Sequence, residues 1–179
     1  MKKLLFVAAF AVLGLTMANA QKNVIKVNPF GLIFGSAELS YERAISEKGA
    51  FEISAAYTRI DATFNNSSEE ASISGVGAEA KYKFYFSSVN DAPRGWYAAP
   101  LANFYSITGK EGSSKGKVNT VGGGAVAGYQ WVFGGGNTGF ALDLNLGAQY
   151  LSVSTSGDIN GTSIDGIIPR LGVSLGYAF

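Results

Sequence analysis

The most constraining feature of this sequence is a two-residue alternation of apolar with small or polar residues, which recurs along the chain beyond residue 23. Such alternation is typical of β-strands, in which successive side chains point to opposite faces of a sheet. No stretch shows the 3.6-residue repeat of an amphipathic helix. Eight segments carry the alternation: residues 24–34, 36–45, 50–60, 73–87, 95–108, 119–133, 139–153 and 165–179. We therefore expect an all-β fold.

The clearest segment, residues 73–87, has one bulky apolar face and one small or polar face. The apolar face carries Val76, Ala78, Ala80, Tyr82, Phe84 and Phe86. The other face carries Gly75, Gly77, Glu79, Lys81, Lys83 and Tyr85. The segments at 119–133 and 139–153 divide in the same way, so we expect strands with two chemically different faces.

Two segments are less regular because each contains a proline. Residues 24–34 include Pro29 and a change of apolar face, which predicts a β-bulge. In residues 95–108, Pro100 removes a hydrogen-bond donor from the ladder. The register there stays open: either Trp96 and Phe104 point outward, or Tyr97, Leu101 and Tyr105 do.

The connecting segments alternate between short and long. The turns after the second, fourth and sixth segments are short (46–49, 88–94 and 134–138), whereas those after the third, fifth and seventh are longer and polar (61–72, 109–118 and 154–164). An eight-stranded antiparallel up-and-down barrel in an outer membrane has this rhythm, with short turns at the periplasmic end. A soluble β-sandwich does not require it.

Size and charge predict which face of such a barrel points inward. Eight strands leave an interior just wide enough for side chains, so bulky rings do not fit there together. Lys81 and Lys83 facing lipid at mid-bilayer would cost about 2–4 kcal/mol each. We therefore expect a transmembrane β-barrel with an interior ionic network made of Glu42, Glu52, Glu79, Lys81, Lys83, Asp143 and Arg170. The opposite orientation, in a secreted soluble lipocalin-like barrel, is the alternative.

The first twenty residues have the pattern of an export signal. Lys2 and Lys3 precede an apolar run over residues 4–15, and Ala18 and Ala20 supply a small-x-small cleavage site before Gln21. The run is shorter than the roughly 20 residues that a spanning helix needs. We expect a Sec-type signal peptide at residues 1–20 and one barrel domain at residues 21–179.

Composition limits the chemistry that the chain can perform. The sequence has no histidine and no cysteine, so it lacks an imidazole base, a thiolate and the nitrogen or sulfur ligands of zinc sites. A formal net charge of +1 offers nothing to attract nucleic acid. We expect a protein that is not an enzyme, without catalytic residues, a cofactor or a metal site.

The final segment carries the most specific motif of the sequence. Leu171, Val173, Leu175, Tyr177 and Phe179 alternate with small residues. This pattern resembles the terminal signal that the insertion machinery of bacterial outer-membrane β-barrels recognises. The chain as a whole resembles the small OmpA/OmpX/OmpW-like barrels, and residues 24–34 with 39–43 are similar to a Bacteroidetes-type branch of them.

The resemblance implies a location in the bacterial outer membrane. It also implies outer-membrane lipid and lipopolysaccharide, the barrel-insertion machinery and periplasmic chaperones as partners, and a monomer. Three functions follow as hypotheses. The first is a plugged barrel that supports envelope integrity or displays surface loops. The others are a narrow pore or OmpW-like transporter of small solutes, and the soluble ligand-binding barrel.

Overall fold

The computed structural model describes residues 23–33, 35–63, 70–86, 91–111, 114–134, 138–157 and 165–179. The strands are β1 (Asn23–Val27), β2 (Ser36–Ala44), β3 (Gly49–Thr63), β4 (Glu70–Tyr85), β5 (Gly95–Glu111), β6 (Ser114–Phe133), β7 (Gly139–Gly157) and β8 (Gly166–Ala178). Each pairs antiparallel with its neighbour in sequence, and β8 pairs with β1. The predicted all-β, eight-stranded, up-and-down closed barrel is confirmed.

One short helix, α1 (Pro29–Ile33), joins β1 to β2. No helix in the described parts of the chain is long and apolar enough to cross a membrane. The predicted signal peptide and its cleavage site at Ala18, Ala20 and Gln21 lie outside the described residues.

The pairing register sets the tilt of the strands. A line of paired residues that starts at Val24 in β1 and runs from strand to strand reaches Ile168 in β8. Val24 itself pairs with Ala178. One turn around the barrel therefore displaces the line of pairs by ten residues along β8, from Ile168 to Ala178, and this displacement is the shear of the barrel. A shear of this size in an eight-stranded barrel corresponds to a tilt of about 40° and an interior that side chains can fill.

Burial distinguishes the two faces of the wall and settles the register of β5. The Trp96 side chain is 56% exposed and Phe104 is 45% exposed, whereas Tyr97 and Leu101 are buried. Trp96 and Phe104 therefore point outward, and Tyr97 and Leu101 point into the lumen. On β4, likewise, Lys81, Lys83 and the other residues of the polar face point inward.

The strand predicted over residues 24–34 is confirmed only as far as Val27, and the expected bulge is wrong, because α1 follows β1. Asn28 caps this helix: its side-chain oxygen accepts a hydrogen bond from the Gly31 amide at 3.1 Å. Pro29 occupies the first helical position, where its fixed φ is favourable and the missing amide proton costs nothing.

The predicted polar connectors 61–72, 109–118 and 154–164 are in part strand. β3 continues to Thr63, β5 to Glu111 and β7 to Gly157, while β4 begins at Glu70 and β6 at Ser114. The sequence pattern did not reveal these extensions, because along each of these strands the apolar residues change from the outer face to the inner face. On the side of this change nearer the short turns, apolar residues such as Tyr57, Val76 and Val121 point outward. We call this change the reversal.

Beyond the reversal the outer face is polar, and most of the large aliphatic residues lie on the inner face. The outward residues are Arg59, Asp61, Ser72, Ser74, Ser106, Thr108, Lys110, Lys115, Lys117, Asn119, Ser152, Ser154 and Ser156. The inner face carries the apolar residues Ile60, Ile73, Ile107, Val118, Leu151 and Val153, together with threonines such as Thr58, Thr120 and Thr155. The barrel thus has two zones with opposite polarity, which we call the lower and upper zones.

The lower end of the lumen is closed by two turns. The Tyr85 amide donates to the Lys48 carbonyl at 2.7 Å, and the Ala92 amide donates to the Glu47 carbonyl at 2.8 Å. Ala92 and Pro93 are fully buried at this end. The adjoining apolar core consists of Ala44, Ala50, Tyr85, Ala92, Tyr97, Ala99, Leu101 and Val126.

The absence of a side chain at position 128 lets a tyrosine ring approach the inner wall closely. Gly128 pairs with Tyr97 across β5 and β6, and a Cβ at position 128 would lie 2.7 Å from the Tyr97 ring and 2.5 Å from the Leu144 carbonyl oxygen. Both contacts are too close for carbon. The Tyr97 ring therefore depends on a residue without a side chain beneath it.

We predict that Gly128→Ala destabilises the folded barrel by about 1–3 kcal/mol, the usual cost of inserting a methyl group into a packed interior. Gly123→Ala is the matched control, because the nearest atom to a Cβ there is 3.7 Å away. Urea unfolding of the refolded protein, followed by tryptophan fluorescence, measures both. Equal effects of the two substitutions would contradict this account.

Candidate functional site: the interior ionic network

The centre of the lumen holds three buried carboxylates and two buried lysines. Glu42, Glu52 and Asp143 are at most 3% exposed, and one oxygen from each carboxylate lies within 4.8 Å of the other two. Lys26 Nζ is 2.6 Å from Glu42 and 2.9 Å from Asp143, and it also contacts Glu52. Lys83 Nζ is 2.8 Å from Glu42, 2.9 Å from Glu52 and 2.6 Å from Asp143.

Each carboxylate is thus shared by both ammonium groups. Three carboxylates at this separation repel one another in a poorly solvated interior, and isolated buried charges cost several kcal/mol each. The two lysines offset both effects because every acid contacts two cations. Gln130 completes the arrangement: its Oε1 accepts from both lysines at 3.1 Å, and its Nε2 donates to the Pro93 carbonyl at 2.6 Å.

Two tyrosines satisfy the remaining carboxylate oxygens. The Tyr85 hydroxyl donates to Glu42 Oε1 at 2.6 Å, and the Tyr97 hydroxyl donates to Asp143 Oδ1 at 2.6 Å. Lys83 Nζ also lies 4.3 Å from the centre of the Tyr97 ring, within the range of a cation–π contact. Both rings come from β-strands that lie next to each other, β4 and β5.

A second layer extends the network toward the upper zone. Lys81 bridges Glu52 at 2.8 Å and Glu79 at 3.0 Å. An Arg170 guanidinium nitrogen lies 2.7 Å from the Glu79 carboxylate. Another Arg170 nitrogen donates to Gln149 Oε1 at 3.1 Å, as does Asn103 Nδ2 at 2.7 Å.

The structure brings all seven residues of the predicted ionic network into one connected cluster and adds Lys26. With Lys26, four acidic and four basic side chains take part, so the formal charges cancel. The sequence prediction did not include Lys26. Its position between the outward residues Ile25 and Val27 could have indicated that it points inward. The prediction also missed Gln130, Asn103 and Gln149, whose role as bridges depends on the register between distant strands.

The three carboxylates supply oxygen ligands of the kind that Ca²⁺ and Mg²⁺ prefer. In this structure, however, the two ammonium groups lie against the same oxygens that would bind the ion. A divalent cation would enter only by displacing both lysines. The chemistry that the arrangement supports directly is cross-linking of β1, β2, β3, β4 and β7 across the lumen.

The predicted C-terminal insertion signal lies on and beside β8. Leu171 is 77% exposed and Tyr177 is 56% exposed, and Val173 and Leu175 share the outer face with them. Phe179 follows the strand and exchanges two backbone hydrogen bonds with Asn23, at 2.9 and 3.0 Å. This row forms part of the seam at which the barrel closes.

The fold and the interior define a small closed β-barrel that holds a neutral network of ion pairs in its lumen. The chain belongs to the DUF3575 family, described as "Protein of unknown function", whose sequence profile matches residues 5–160. No curated protein and no solved structure matches the chain.

Lys83→Met tests whether the network stabilises the barrel. We predict a loss of about 3–5 kcal/mol in the free energy of unfolding, because removing one partner leaves buried charge uncompensated. The matched control is Lys48→Met, at a lysine whose side chain is 50% exposed and 3.8 Å from Asp91, where we expect a change of about 0.5 kcal/mol or less. Chemical denaturation measures both variants, and a Lys83→Met protein as stable as the control would contradict the prediction.

Proposed function

We propose that this chain is a non-enzymatic integral protein of the bacterial outer membrane, with a barrel that spans the lipid and an interior plugged by its ionic network. The observation that carries the proposal is the outer face of the lower zone. This face is apolar on every long strand, and large side chains on it are about half exposed. A water-soluble monomer rarely exposes a continuous apolar surface of this extent.

The height of the apolar face matches a bilayer. On β4 it extends from Phe86, beside the lower turns, to Val76, a run of eleven residues. At a tilt of about 40°, such a run rises about 25 Å, which is the height of the apolar band of outer-membrane barrels. On β7 the face runs from Phe140 to Tyr150, which is also eleven residues.

Aromatic side chains mark the lower edge of this band. Tyr129 lies 5.1 Å from Trp96 and 4.4 Å from Trp131, measured between ring centroids, and Phe133 stacks with Phe140 at 6.0 Å. Amphipathic rings are enriched where membranes meet water. At the upper edge, the reversal of polarity begins beside Tyr57 and Tyr150, so the proposed membrane boundary lies at that level.

A soluble lipocalin-like barrel needs the opposite arrangement, with apolar side chains around a central cavity. In the lower zone, charged and amide groups occupy the centre of the lumen, and most of the large apolar side chains lie on the outer face. The orientation therefore favours the membrane barrel over the soluble alternative.

Sequence features support the rest of the proposal. Lys2, Lys3 and the Ala18–Ala20 site direct export by a Sec-type signal peptide, with residues 1–20 removed before Gln21. The alternating residues of β8 engage the insertion machinery, with periplasmic chaperones upstream and lipid and lipopolysaccharide as the final environment. The similarity to OmpA/OmpX/OmpW-like barrels of a Bacteroidetes-type branch agrees with this route.

The interior supports a structural rather than an enzymatic role. Every acid of the network is buried and ion-paired, and the chain has no histidine or cysteine to act as base or nucleophile. A monomeric barrel of this kind contributes to envelope integrity or presents its upper connections to the surroundings.

Placing an arginine at mid-height on the outer wall tests the membrane assignment. Leu146 is outward and 63% exposed, and we predict that Leu146→Arg costs about 2–4 kcal/mol in lipid vesicles because the cation faces the centre of the bilayer. Ser154→Arg, on the outer face of the same strand in the upper zone, is expected to be nearly neutral. Unfolding in vesicles measures both, and equal small costs would favour a soluble barrel.

A second candidate function, lateral passage of small solutes, rests on a gap in the wall. β1 pairs with β8 only from Val24 to Val27. Residues 166–174 of β8 therefore have no strand partner on that side among the described residues, and α1 lies where a longer β1 would run. Arg170 lies on the inner face of this unpaired stretch of β8, so solutes that passed between α1 and β8 would reach the lumen near Arg170.

Labelling of single cysteines tests the gap, since the chain has none of its own. Ser174 lies on the inner face of β8 within the gap, whereas Ser54 lies on the inner face of β3, which is paired on both sides. For vesicle-embedded protein, we predict that a membrane-soluble maleimide modifies Ser174→Cys at least about tenfold faster than Ser54→Cys if the gap is open to lipid. Equal rates would exclude lateral passage and leave the plugged barrel.

A further inference from the structure

The lumen is packed tightly in the lower zone but holds open space above the ionic network. In the lower zone, a Cβ at Gly128 would lie 2.5 Å from a backbone carbonyl oxygen. At Gly109 of β5 and Gly166 of β8, by contrast, an added Cβ would meet no atom that the structure describes within 4 Å. Both glycines belong to the inward-facing rows of their strands, with Ile107 and Ile168. The inner face of the upper zone therefore surrounds space that these side chains do not fill.

Aliphatic side chains line this space. Ile60 of β3 and Ile168 of β8 face the lumen, yet they are 42% and 40% exposed. Ile107, Leu151 and Val153 face it from β5 and β7 and are only partly buried. We call the space bounded by Ile107, Leu151, Val153 and Ile168 the upper cup. Its walls offer apolar surface that an apolar molecule could cover.

The floor of the upper cup carries polar groups without partners. Asn103 is 5% exposed, and its Oδ1 accepts no hydrogen bond from any residue that the structure describes. Arg170 Nε is also buried and has no acceptor among the same residues. Tyr105, the next inward residue of β5 after Asn103, lies against Gly77. Within the described part of the chain, its hydroxyl forms no hydrogen bond.

The unpartnered atoms of Asn103 and Arg170 lie side by side, because the two side chains share both of their partners. Asn103 Nδ2 and an Arg170 nitrogen both donate to Gln149 Oε1, at 2.7 and 3.1 Å. The same two side chains also donate to the Glu79 carboxylate, at 3.3 and 2.7 Å. A buried polar atom without a partner costs about 1–3 kcal/mol. A molecule that supplies one acceptor and one donor here would remove both costs.

The charges around the floor favour an uncharged molecule. Arg170 is already paired with Glu79, and Lys81 with the same carboxylate. Glu38 of β2 faces the lumen in the row of paired residues that contains Tyr105. An added carboxylate would meet two acids, and an added ammonium would meet two cations that are already paired. Either charge would be buried without full compensation.

From these features we propose that the upper cup binds an uncharged amphiphile with a short aliphatic chain and a head group that both donates and accepts hydrogen bonds, as a primary amide does. Its carbonyl oxygen accepts from Arg170 Nε, and its N–H donates to Asn103 Oδ1. Its chain packs against Leu151 and Ile168. The inference uses only the inner face of the barrel, so it does not require the lower zone to face lipid. The ionic network beneath the cup closes the path, so the molecule is held rather than passed through the axis.

The test measures how ligands protect a cysteine placed in the cup. The chain has no cysteine of its own, and Gly109→Cys places one where the wall leaves room. We expect saturating octanamide to slow its modification by a water-soluble methanethiosulfonate at least about tenfold. N,N-dimethyloctanamide lacks the donor, and octanoate and octylammonium are charged. Each should bind about tenfold more weakly than octanamide at equal free concentration, which is the effect of about one hydrogen bond.

Two further substitutions in the Gly109→Cys protein locate the site. Asn103→Leu removes the acceptor, so octanamide should bind about tenfold more weakly, while the binding of N,N-dimethyloctanamide should stay the same. Gly166→Phe fills the cup at a position with room for it and should abolish protection by octanamide. Ser154→Cys on the outer face is the control, and octanamide should not change its modification.

The outcomes separate this inference from the membrane assignment. Equal protection by octanamide and its dimethyl analogue overturns the proposed recognition, and so does protection that survives Gly166→Phe. Absence of protection by every compound shows that water alone satisfies the floor, which also overturns it. The protein is first assayed in phosphatidylcholine vesicles, where protection from protease reports insertion. Protein that stays outside the vesicles overturns the proposed function, and the same labelling in buffer then still tests the upper cup.

Discussion

The structure depends on the sharing of three buried carboxylates by two buried lysines. Eight strands with a shear of ten residues leave a lumen that side chains just fill, so every inward polar group must find its partner within that space. Lys26 and Lys83 each contact Glu42, Glu52 and Asp143. Removing any one of them leaves a buried charge without compensation, which constrains the inner face of five strands together.

The other features of the lower zone fit around this cluster. Tyr97 lies over Gly128 and donates to Asp143, while the turn that carries Pro93 closes the lumen and accepts a hydrogen bond from Gln130. Because charged side chains occupy the centre of the lumen, most large apolar side chains of the lower zone lie on the outer face. There they form the band that we propose faces lipid. The upper zone reverses this division, which fits the proposal that these parts of the strands extend beyond the lipid into water.

Much of the fold is readable from local pattern. The alternation in residues 73–87 predicts both the strand and its two faces, and the limited room inside an eight-stranded barrel predicts which face holds Glu79, Lys81 and Lys83. Two kinds of feature could not be predicted from the local sequence pattern. The Asn28–Pro29 pair begins a helix through a cap that outweighs the surrounding strand pattern, and the upper parts of β3 to β7 read as loops because their outward residues are polar.

The sequence by itself determined that the chain forms eight antiparallel strands with one apolar and one polar face, since a two-residue period is a property of each strand alone. Only the tertiary structure decided the register of β5, the inclusion of Lys26 and the bridging role of Gln130. These depend on a shear of ten residues, which brings together side chains from strands far apart in sequence. No local pattern encodes that displacement, because it is a condition for closing the whole barrel.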